Sequence, residues 1–329
     1  MDISQTSEMQ PRNRILYGDC IEFLGKTKEP FADLVFADPP FNIGYQYDKY
    51  YDKVEKNNYL AWTRDWMAAC VNVLKPHGAF YIAIGDEYAA HIRIIGDELG
   101  LTLRNWIIWH YTFGQQTKAK FARSHAHIFY FVKNPKNYVF NDLAVRLPSD
   151  RQLIYNDRRS NATGKIPNDV WSDYSRVCGT FNERQSWHPC QMPELLLGRI
   201  IAASTNPGDL VLDPFNGSGT TAAAALQLGR HYCGFDISED YVRNTQERLK
   251  QLRRKRHSYK TGQLNATEYF ELKRLFVEMN VAADTLIKDD KVFGYFLNQL
   301  RLRLNRDKPH DATLVKEALK EFLTWAVGR

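Results

Sequence analysis

The sequence is poor in cysteine and contains no long apolar run. Its five cysteines are scattered and none belongs to a CxxC pair, which argues against a disulfide framework and against a zinc ribbon. No run of about eighteen apolar residues is present, so no membrane-spanning helix is expected. The amino-terminal segment MDISQTSEMQPRNR lacks the apolar core of a secretion signal. Together these absences predict a soluble protein of the reducing cytoplasm.

The 329 residues are otherwise an ordinary globular mixture, with 44% hydrophobic and 25% charged residues, too apolar for a disordered chain. The net charge of +6 is unevenly placed. Residues 241–260 hold eight basic residues and one acid, and residues 113–136 hold five basic residues, no acid and several aromatics, among them Phe121. Clustered cations with aromatics between them are typical of nucleic-acid binding. The run RRKR at 253–256 fits a solvated helix face equally well.

Short apolar runs and period-2 alternation predict seven strands. They are Arg14–Tyr17, Ala32–Ala37, Ala79–Ile84, Trp106–Trp109, Ala126–Val132, Leu210–Leu212 and His231–Phe235. Helical patterns alternate with the strands, and the tetrapeptide KPHG is expected to end the first of these helices. The predicted helices are Tyr59–Val73, Pro193–Ser204, Thr220–Leu228, Glu268–Met279, Val292–Arg303 and one that begins after Asp311. This alternation predicts an α/β fold with a doubly wound, mostly parallel sheet.

The periodicity fails between residues 134 and 187, where Asn, Asp, Arg, Ser and Pro dominate. A stretch of this length inside an α/β core is usually a functional insertion. From residue 259 onwards the pattern is helical. The expected organisation is therefore an α/β domain at 1–258 that contains the insert at 134–187, followed by a helical extension at 259–329.

The segment 209–229 predicts a strand, a tight turn and a helix. Gly217 and Gly219 let the backbone turn close to a ligand, but the third glycine of a dinucleotide fingerprint is missing. Asp213, before the glycines, would repel a pyrophosphate and hold an α-amino group. Asp236 ends the next strand at the spacing expected for an acid that binds ribose hydroxyls. The pattern fits S-adenosylmethionine better than NAD, although the segment alone is equally compatible with an ordinary strand–helix turn.

A second motif, Asp38-Pro39-Pro40-Phe41, directly follows the apolar strand at 32–37. Two prolines cannot continue a ladder, so the strand must end and present Asp38 at its carboxyl end, where ligands bind in such sheets. This suits alkylation of an exocyclic nucleobase amine: the Asp38 carboxylate and the Pro39 carbonyl each accept one N–H, and Phe41 stacks on an extruded base. Because a sulfonium methyl group is already activated, no covalent intermediate with the enzyme is needed. The rate acceleration then comes from positioning and local electrostatics. Taken alone, DPP is more often a strand-ending turn.

Together these motifs resemble the amino-group DNA methyltransferases of the permuted β arrangement, in which a DPPY-type motif precedes the glycine motif. The similarity covers roughly residues 12–250. It implies a Rossmann-like methyltransferase fold and methyl transfer from S-adenosylmethionine to a flipped base in double-stranded DNA. It makes 1–258 the catalytic domain and 134–187 its target-recognition insert. The further partners it implies are a second copy of the chain, in a homodimer, and a cognate restriction endonuclease.

Three further blocks carry the same resemblance. LYGDCIEFL at 16–24 matches the segment before the catalytic strand, where Asp19 would contact the adenine amine of the cofactor. HPCQMPELLLGRIIAAS at 188–204 resembles the block that precedes the glycine motif and contributes to the cofactor site, although Met192 stands where the family usually has lysine. ARSHAHIFYFVKNP at 122–135 fits a late strand of the catalytic domain, which places the second basic stretch beside the DNA.

The resemblance carries these expectations onto named residues. Those expected to be catalytic are Asp38, Pro39, Pro40 and Phe41. Those expected to bind the cofactor are Asp19, Cys20, Asp38, His188, Asp213, Phe215, Asn216, Gly217, Ser218, Gly219, Thr220 and Asp236. Those expected to bind DNA are Lys118, Lys120, Arg123, Arg158 and Arg159, and no metal is expected.

Several alternatives stay open. An acid at the first position of DPPF resembles the adenine-N6 enzymes and favours them over the cytosine-N4 enzymes, which usually carry serine there. A non-catalytic DNA-binding or cofactor-sensing module would not need Asp38, Asp213 and Asp236 together. A nicotinamide enzyme is disfavoured by the missing third glycine. The PCQ at 189–191 matches the motif of cytosine-C5 enzymes but precedes the glycine loop instead of following it, so Cys190 is interpreted as incidental.

Overall fold

The computed structural model describes residues 11–115, 117–155, 157, 159–179, 182–258 and 262–327. Its strands are β1 (Arg14–Tyr17), β2 (Ala32–Ala37), β3 (Tyr45–Gln46), β4 (Tyr51–Asp52), β5 (Leu74–Ile84), β6 (Thr102–Gln115), β7 (Arg123–Val132), β8 (Val170–Trp171), β9 (Leu210–Asp213) and β10 (His231–Asp236). Its helices are α1 (Cys20–Lys26), α2 (Lys56–Val73), α3 (Asp86–Glu98), α4 (Asp150–Leu153), α5 (Glu194–Ser204), α6 (Thr220–Gln227), α7 (Glu239–His257), α8 (Ala266–Met279), α9 (Ala283–Lys288), α10 (Asp290–Arg303) and α11 (Ala312–Val327).

Eight strands form one sheet in the order β1-β10-β9-β2-β5-β7-β6-β8. The five strands from β1 to β5 in that order are parallel, whereas β7 is antiparallel to both β5 and β6. From β2 the chain proceeds to β5 on one side, and from β9 it proceeds to β10 on the other. The switch point of the sheet therefore lies between β2 and β9, where a crevice opens at their carboxyl ends.

Apolar cores cover both faces of the sheet. One lies between the sheet and α5, α6 and α7, and the other between the sheet and α1, α2 and α3. All six residues of β2 are buried, as is typical of a parallel strand with helices on both sides. A third core joins α8, α9, α10 and α11 to Leu147 of the insert.

A buried cluster of charges fastens the carboxyl-terminal helices to the rest of the molecule. Glu278 of α8 pairs with Arg199 of α5 at 3.2 Å, with Arg274 at 3.1 Å and with Arg303 of α10 at 2.5 Å. Tyr174 of the insert donates its hydroxyl to the same carboxylate. Burial opposes ionisation, but the three guanidinium groups outweigh it and keep the pKa of Glu278 below its usual value. The insert, α5 and the helical extension thus share one ionic cluster.

The predicted elements are largely present, with two differences. The strand expected at 79–84 begins at Leu74, directly after α2, so the KPHG segment is strand and not helix end. Lys75 and His77 contact the buried carboxylate of Asp33 at 2.9 and 3.0 Å, and this tertiary contact holds the polar segment in the sheet. The sheet has eight strands instead of seven, because the short β8 of the insert pairs with β6. In the described part of the chain, no helix is long and apolar enough to span a bilayer.

Candidate active site

The two motifs, far apart in the sequence, meet in the folded chain. Leu34 and Val35 of β2 pair with Val211 and Leu212 of β9, so the two strands end at the same edge of the sheet. Asp38 follows β2 and the glycine turn follows β9, and both line one cavity of about 790 Å³. This is where open α/β sheets bind their ligands, and the volume lies within the range of small-molecule sites.

Asp38 and Asp213 make this edge of the sheet strongly electronegative. Burial, and after it the charge of Asp213, raises the pKa of Asp38 to about 7. Burial also raises the pKa of Asp213 to about 7, although Phe215 donates its backbone N–H to that carboxylate at 3.0 Å. Within the described ranges neither carboxylate has a cationic partner within 4.0 Å. Neighbouring carboxylates without a counter-ion favour a positively charged ligand.

The glycine turn joins β9 to α6 and requires left-handed backbone at two positions. Gly217 has φ +47° and Gly219 has φ +74°. A Cβ on Gly219 would collide with the side chain of Thr245 in α7, and one on Gly217 would lie 2.8 Å from Nε2 of His188. The turn therefore needs glycine at both positions. His188 and Gly217 line the cavity, whereas Gly219 lies behind it.

Two further acids end strands on the same side of the cavity. Asp236, at the end of β10, accepts the backbone N–H of Gly217 and of Ser238, each at 2.8 Å, while burial raises its pKa to about 6. Asp19, after β1, caps α1 by accepting the N–H of Ile21 at 2.8 Å. Both acids line the cavity, so acidic groups follow β1, β10, β9 and β2 along one edge of the sheet.

Two side chains complete the polar wall near the glycine turn. Asn216 is buried, and its Oδ1 has no hydrogen-bond partner among the described residues. A buried acceptor of this kind is usually satisfied by a ligand or a water. Burial, and after it Arg184, lowers the pKa of His188 to about 4, so His188 presents a neutral imidazole at pH 7.

Aromatic side chains form much of the remaining wall of the cavity. Tyr59 of α2 donates its hydroxyl to the carbonyl of Pro40 at 2.6 Å and so fixes the DPPF loop. Arg176 of the insert lies over the ring of Tyr111, 5.2 Å from its centroid. Further aromatic residues that line the cavity are Phe41, Trp62, Trp109 and His125. Flat aromatic walls suit a planar base. Sequence patterns did not reveal Tyr59, Arg176 or Tyr111, because their roles depend on long-range contacts.

Residues 42–54, here called the flap, fold over the cavity and contain the β3–β4 hairpin. The carboxylate of Asp52 accepts the backbone N–H of Asn42 at 2.6 Å and of Ile43 at 3.3 Å. At its far end the flap is fixed by Ser238, which donates its hydroxyl to Asp48 at 2.7 Å. The flap was not predicted, although the tyrosines that follow DPPF in the sequence were a signal for it. Those that line the cavity are Tyr45, Tyr47 and Tyr50.

Cys190 and Met192 also line the cavity. Cys190 is exposed to the open cavity, and desolvation by the surrounding walls, followed by the charge of Asp38, raises the pKa of its thiol. An attacking cysteine needs the opposite shift, because the thiolate is the nucleophile. This supports the interpretation of the PCQ tripeptide as incidental. Met192 belongs to the core that covers α5, so a thioether packs where the resemblance leads one to expect lysine.

The basic stretch at 113–136 is divided between the two ends of β7, and so between opposite ends of the strands of the sheet. Arg123 lines the cavity and pairs with Asp86 of α3 at 2.7 Å. Lys133, beyond the other end of β7, donates to the carbonyls of Val71 and Leu74, each at 2.8 Å. The expectation that the whole stretch lies beside the site is therefore wrong, since an extended strand of ten residues separates its two halves.

The remaining predicted DNA contacts differ in their surroundings. Lys118 and Lys120 are exposed between β6 and β7, and Arg159 is exposed and paired with Asp157 at 3.0 Å. Arg158 lies outside the described residues. In the RRKR run, Arg256 donates to the carbonyl of Leu226 at 2.6 Å and Arg253 to the hydroxyl of Tyr232. At least half of that run therefore stabilises the fold.

The comparisons with known proteins agree with this geometry. The profile of the N6/N4 DNA methylase family matches residues 32–247. The chain is 37% identical to type II methyltransferase M.HpaI of Haemophilus parainfluenzae, over 72% of this chain and 74% of that protein. It is 38% identical to DNA adenine methyltransferase YhdJ of Escherichia coli K12, over 71% of this chain and 82% of that protein.

Among solved structures, the complex of M1.HpyAVI with S-adenosylmethionine has the same fold. Its TM-score is 0.52 at 22% identity, and the alignment covers 72% of this chain and 98% of that one. The family profile spans most of the described α/β region, including both motifs that meet at the cavity. The chain therefore belongs to the N6/N4 DNA methylase family.

Proposed function

We propose that the protein transfers the methyl group of S-adenosylmethionine to the N6 amine of an adenine flipped out of double-stranded DNA. The observation that carries the proposal is the shared cavity of Asp38 and the glycine turn, which are brought together by the pairing of β2 with β9. Adenine is preferred to cytosine because the first motif begins with an acid, and because one of the relatives is named a DNA adenine methyltransferase.

The residues at the β9 and β10 end of the cavity fit S-adenosylmethionine. Asp213 provides a carboxylate without a counter-ion for the α-amino group, and Asn216 provides a buried acceptor without a protein partner. Asp236 is assigned to the ribose and Asp19 to the adenine amine of the cofactor. Bound there, the cofactor supplies a methyl group that is already activated by its sulfonium.

The DPPF end of the cavity holds the target amine. In the ionised form the Asp38 carboxylate accepts one N–H of the amine, and the Pro39 carbonyl accepts the other, which directs the nitrogen lone pair towards the methyl group. Phe41 stacks on the base, while Tyr59 keeps the loop in place through its bond to Pro40. Because its pKa is near 7, Asp38 is also suited to take up the proton that the amine loses.

The remaining roles follow from the resemblance to the family. Cys20, His188 and the residues from Phe215 to Thr220 form the cofactor side of the site, and Lys118, Lys120, Arg123 and Arg159 contact DNA phosphates. We further propose that 1–258 is the catalytic domain, with 134–187 as its recognition insert, and that 259–329 is a separate extension. A homodimer and a cognate restriction endonuclease belong to the same proposal, and sedimentation of the purified protein tests the first.

The proposal is tested by methyl transfer to DNA. Purified protein is incubated with methyl-labelled S-adenosylmethionine and plasmid DNA, and the product is digested to nucleosides and separated. We expect label in N6-methyladenine with the native chain and none with Asp38→Ala. Label in N4-methylcytosine would overturn the choice of base, and absence of label from all nucleosides would overturn the activity.

A further inference from the structure

Phe121 lies between β6 and β7 and is 99% exposed, the highest value among the large hydrophobic side chains of the described residues. The side chains of Lys118 and Lys120, which precede it, are also exposed. A fully exposed phenylalanine gains nothing from packing within the chain, and one that directly follows two exposed lysines lies on a surface suited to a polyanion.

The hairpin that carries Phe121 begins at the wall of the cavity. Gln115 of β6 pairs with Arg123 of β7, so the connecting segment closes immediately before a residue that lines the cavity. A strand rises about 3.3 Å per residue, so the backbone of Phe121 lies within about 7 Å of that of Arg123. The base of the hairpin is fixed, because Arg123 pairs with Asp86 at 2.7 Å and with Glu87 at 3.5 Å.

We propose that Phe121 inserts into the DNA duplex beside the flipped base and occupies the space that this base leaves in the stack. The inference rests on the proposed function, since it presupposes that a base of duplex DNA enters the cavity. Extrusion breaks stacking on both sides of the target, and an apolar ring in the gap restores part of that stacking. Lys118 and Lys120, which both precede Phe121, then face phosphates next to the gap.

This arrangement separates two tasks between neighbouring parts of one surface. The aromatic walls around Phe41 and Tyr111 receive the base, while Phe121 keeps it from returning to the duplex. The lysines supply binding that does not depend on whether the target is paired. Removal of the Phe121 ring should therefore lower the methylation rate strongly when the target base pair is intact and only slightly when that pair is already broken.

The test uses the full chain and two duplexes that carry its own target sequence, mapped beforehand on methylated plasmid DNA. One duplex has a paired target adenine and the other has the same adenine opposite an abasic site. Single-turnover methylation is measured for the native chain, Phe121→Ala, Phe121→Trp and Lys120→Ala. Ile94→Ala, which removes an apolar side chain of α3 that is 56% exposed, is the matched control. In parallel, 2-aminopurine at the target position reports unstacking by its fluorescence, independently of methyl transfer.

On the paired duplex we expect Phe121→Ala to lower the single-turnover rate constant by about 10- to 100-fold and to abolish most of the 2-aminopurine signal. On the abasic duplex its rate should fall by less than about threefold, and Phe121→Trp should retain activity on both. Lys120→Ala should weaken binding to the two duplexes by the same factor, and Ile94→Ala should resemble the native chain.

An equal loss on both duplexes, or no loss on either, would overturn the insertion of Phe121. A change in the sedimentation of Phe121→Ala towards a smaller species would assign the ring to a contact between two copies of this chain and would also overturn it. Failure of the proposed function is distinguishable, because the native chain would then methylate neither duplex.

Discussion

Two sets of carboxylates, buried or, for Asp38, half-buried, behave in opposite ways in this protein. Asp38 and Asp213, at the edge of the sheet, have raised pKa values and no cationic partner among the described residues. Glu278, behind α5, is surrounded by three arginines and has a lowered pKa. The paired carboxylate joins elements of the fold, whereas the unpaired ones are left ready for a ligand. The difference shows that burial alone does not define a site; the missing counter-charge does.

The largest expected effect is the loss of activity in Asp38→Ala. Without the carboxylate the target amine loses one of its two acceptors, so the methylation rate should fall by at least about 10³-fold, or about 4 kcal/mol of transition-state stabilisation. Affinity for S-adenosylmethionine, measured by calorimetry, should change far less. Asp65→Ala, which removes an exposed carboxylate on α2, should remain active. A fully active Asp38→Ala would refute the assignment of this residue.

For the paired set, Glu278→Gln should destabilise the fold by about 3 kcal/mol, because it leaves three buried guanidinium groups without their shared counter-ion. Urea unfolding measures this difference. The matched control is Glu98→Gln, whose carboxylate pairs with Arg64 at the surface and should cost less than about 1 kcal/mol. Equal losses in the free energy of unfolding would show that the buried cluster stabilises the fold no more than a surface ion pair does.

A smaller effect is expected for the stability of Asp213→Asn. Burial raises the pKa of Asp213 in the folded chain to about 7, above the usual 3.8 of an aspartate, so the folded state binds more protons than the unfolded state between about pH 4 and pH 7. The free energy of unfolding should therefore fall as the pH rises through this window. Asp213→Asn removes that penalty and should be more stable than the native chain by roughly 1–2 kcal/mol at pH 8.

Thermal unfolding at pH 4 and at pH 8 measures this prediction, since the stabilisation should be almost absent at pH 4, where the native Asp213 is protonated. Affinity for S-adenosylmethionine should fall at the same time, because the cofactor loses an ionic partner. A variant that is less stable at pH 8 would indicate that Asp213 has a counter-charge in the folded protein.

The smallest effect is expected for Cys190→Ser. The thiol lines the cavity but its raised pKa keeps it protonated, so methylation should stay within about twofold of the native rate. The exposed Cys178 provides a second Cys→Ser variant for comparison. Loss of turnover with DNA binding preserved would instead give Cys190 a covalent role and undo the interpretation of its tripeptide.

Local patterns in the sequence predicted much of this molecule. The bounds of β1 and β2 are as expected, because apolar runs bounded by polar or proline residues are specified within a few positions. The glycine turn was also predicted, since only glycine adopts its two left-handed positions without strain. These features depend on neighbours in the chain, and neighbours are visible in a sequence.

The contacts that the sequence did not reveal are those between distant segments. In the sequence, Tyr59 is one apolar position of a predicted helix, and no neighbouring residue indicates that its hydroxyl donates a hydrogen bond to the carbonyl of Pro40. Glu278 and Arg303 read as ordinary charges on amphipathic helices, although both are buried in one cluster. Lys133 belongs to a basic run in the sequence but lies at the opposite edge of the sheet from Arg123, because β7 lies between them.

The sequence by itself determined which strand ends carry an acid, which turn needs glycine, and which family the chain resembles, since each follows from local backbone preferences and side-chain chemistry. Only the tertiary structure decided that Asp38 and Asp213 share a cavity, that the flap covers it, and that Phe121 is exposed beside it. The physical reason is that these outcomes depend on the pairing of strands remote in the chain, which the packing of both apolar faces selects cooperatively.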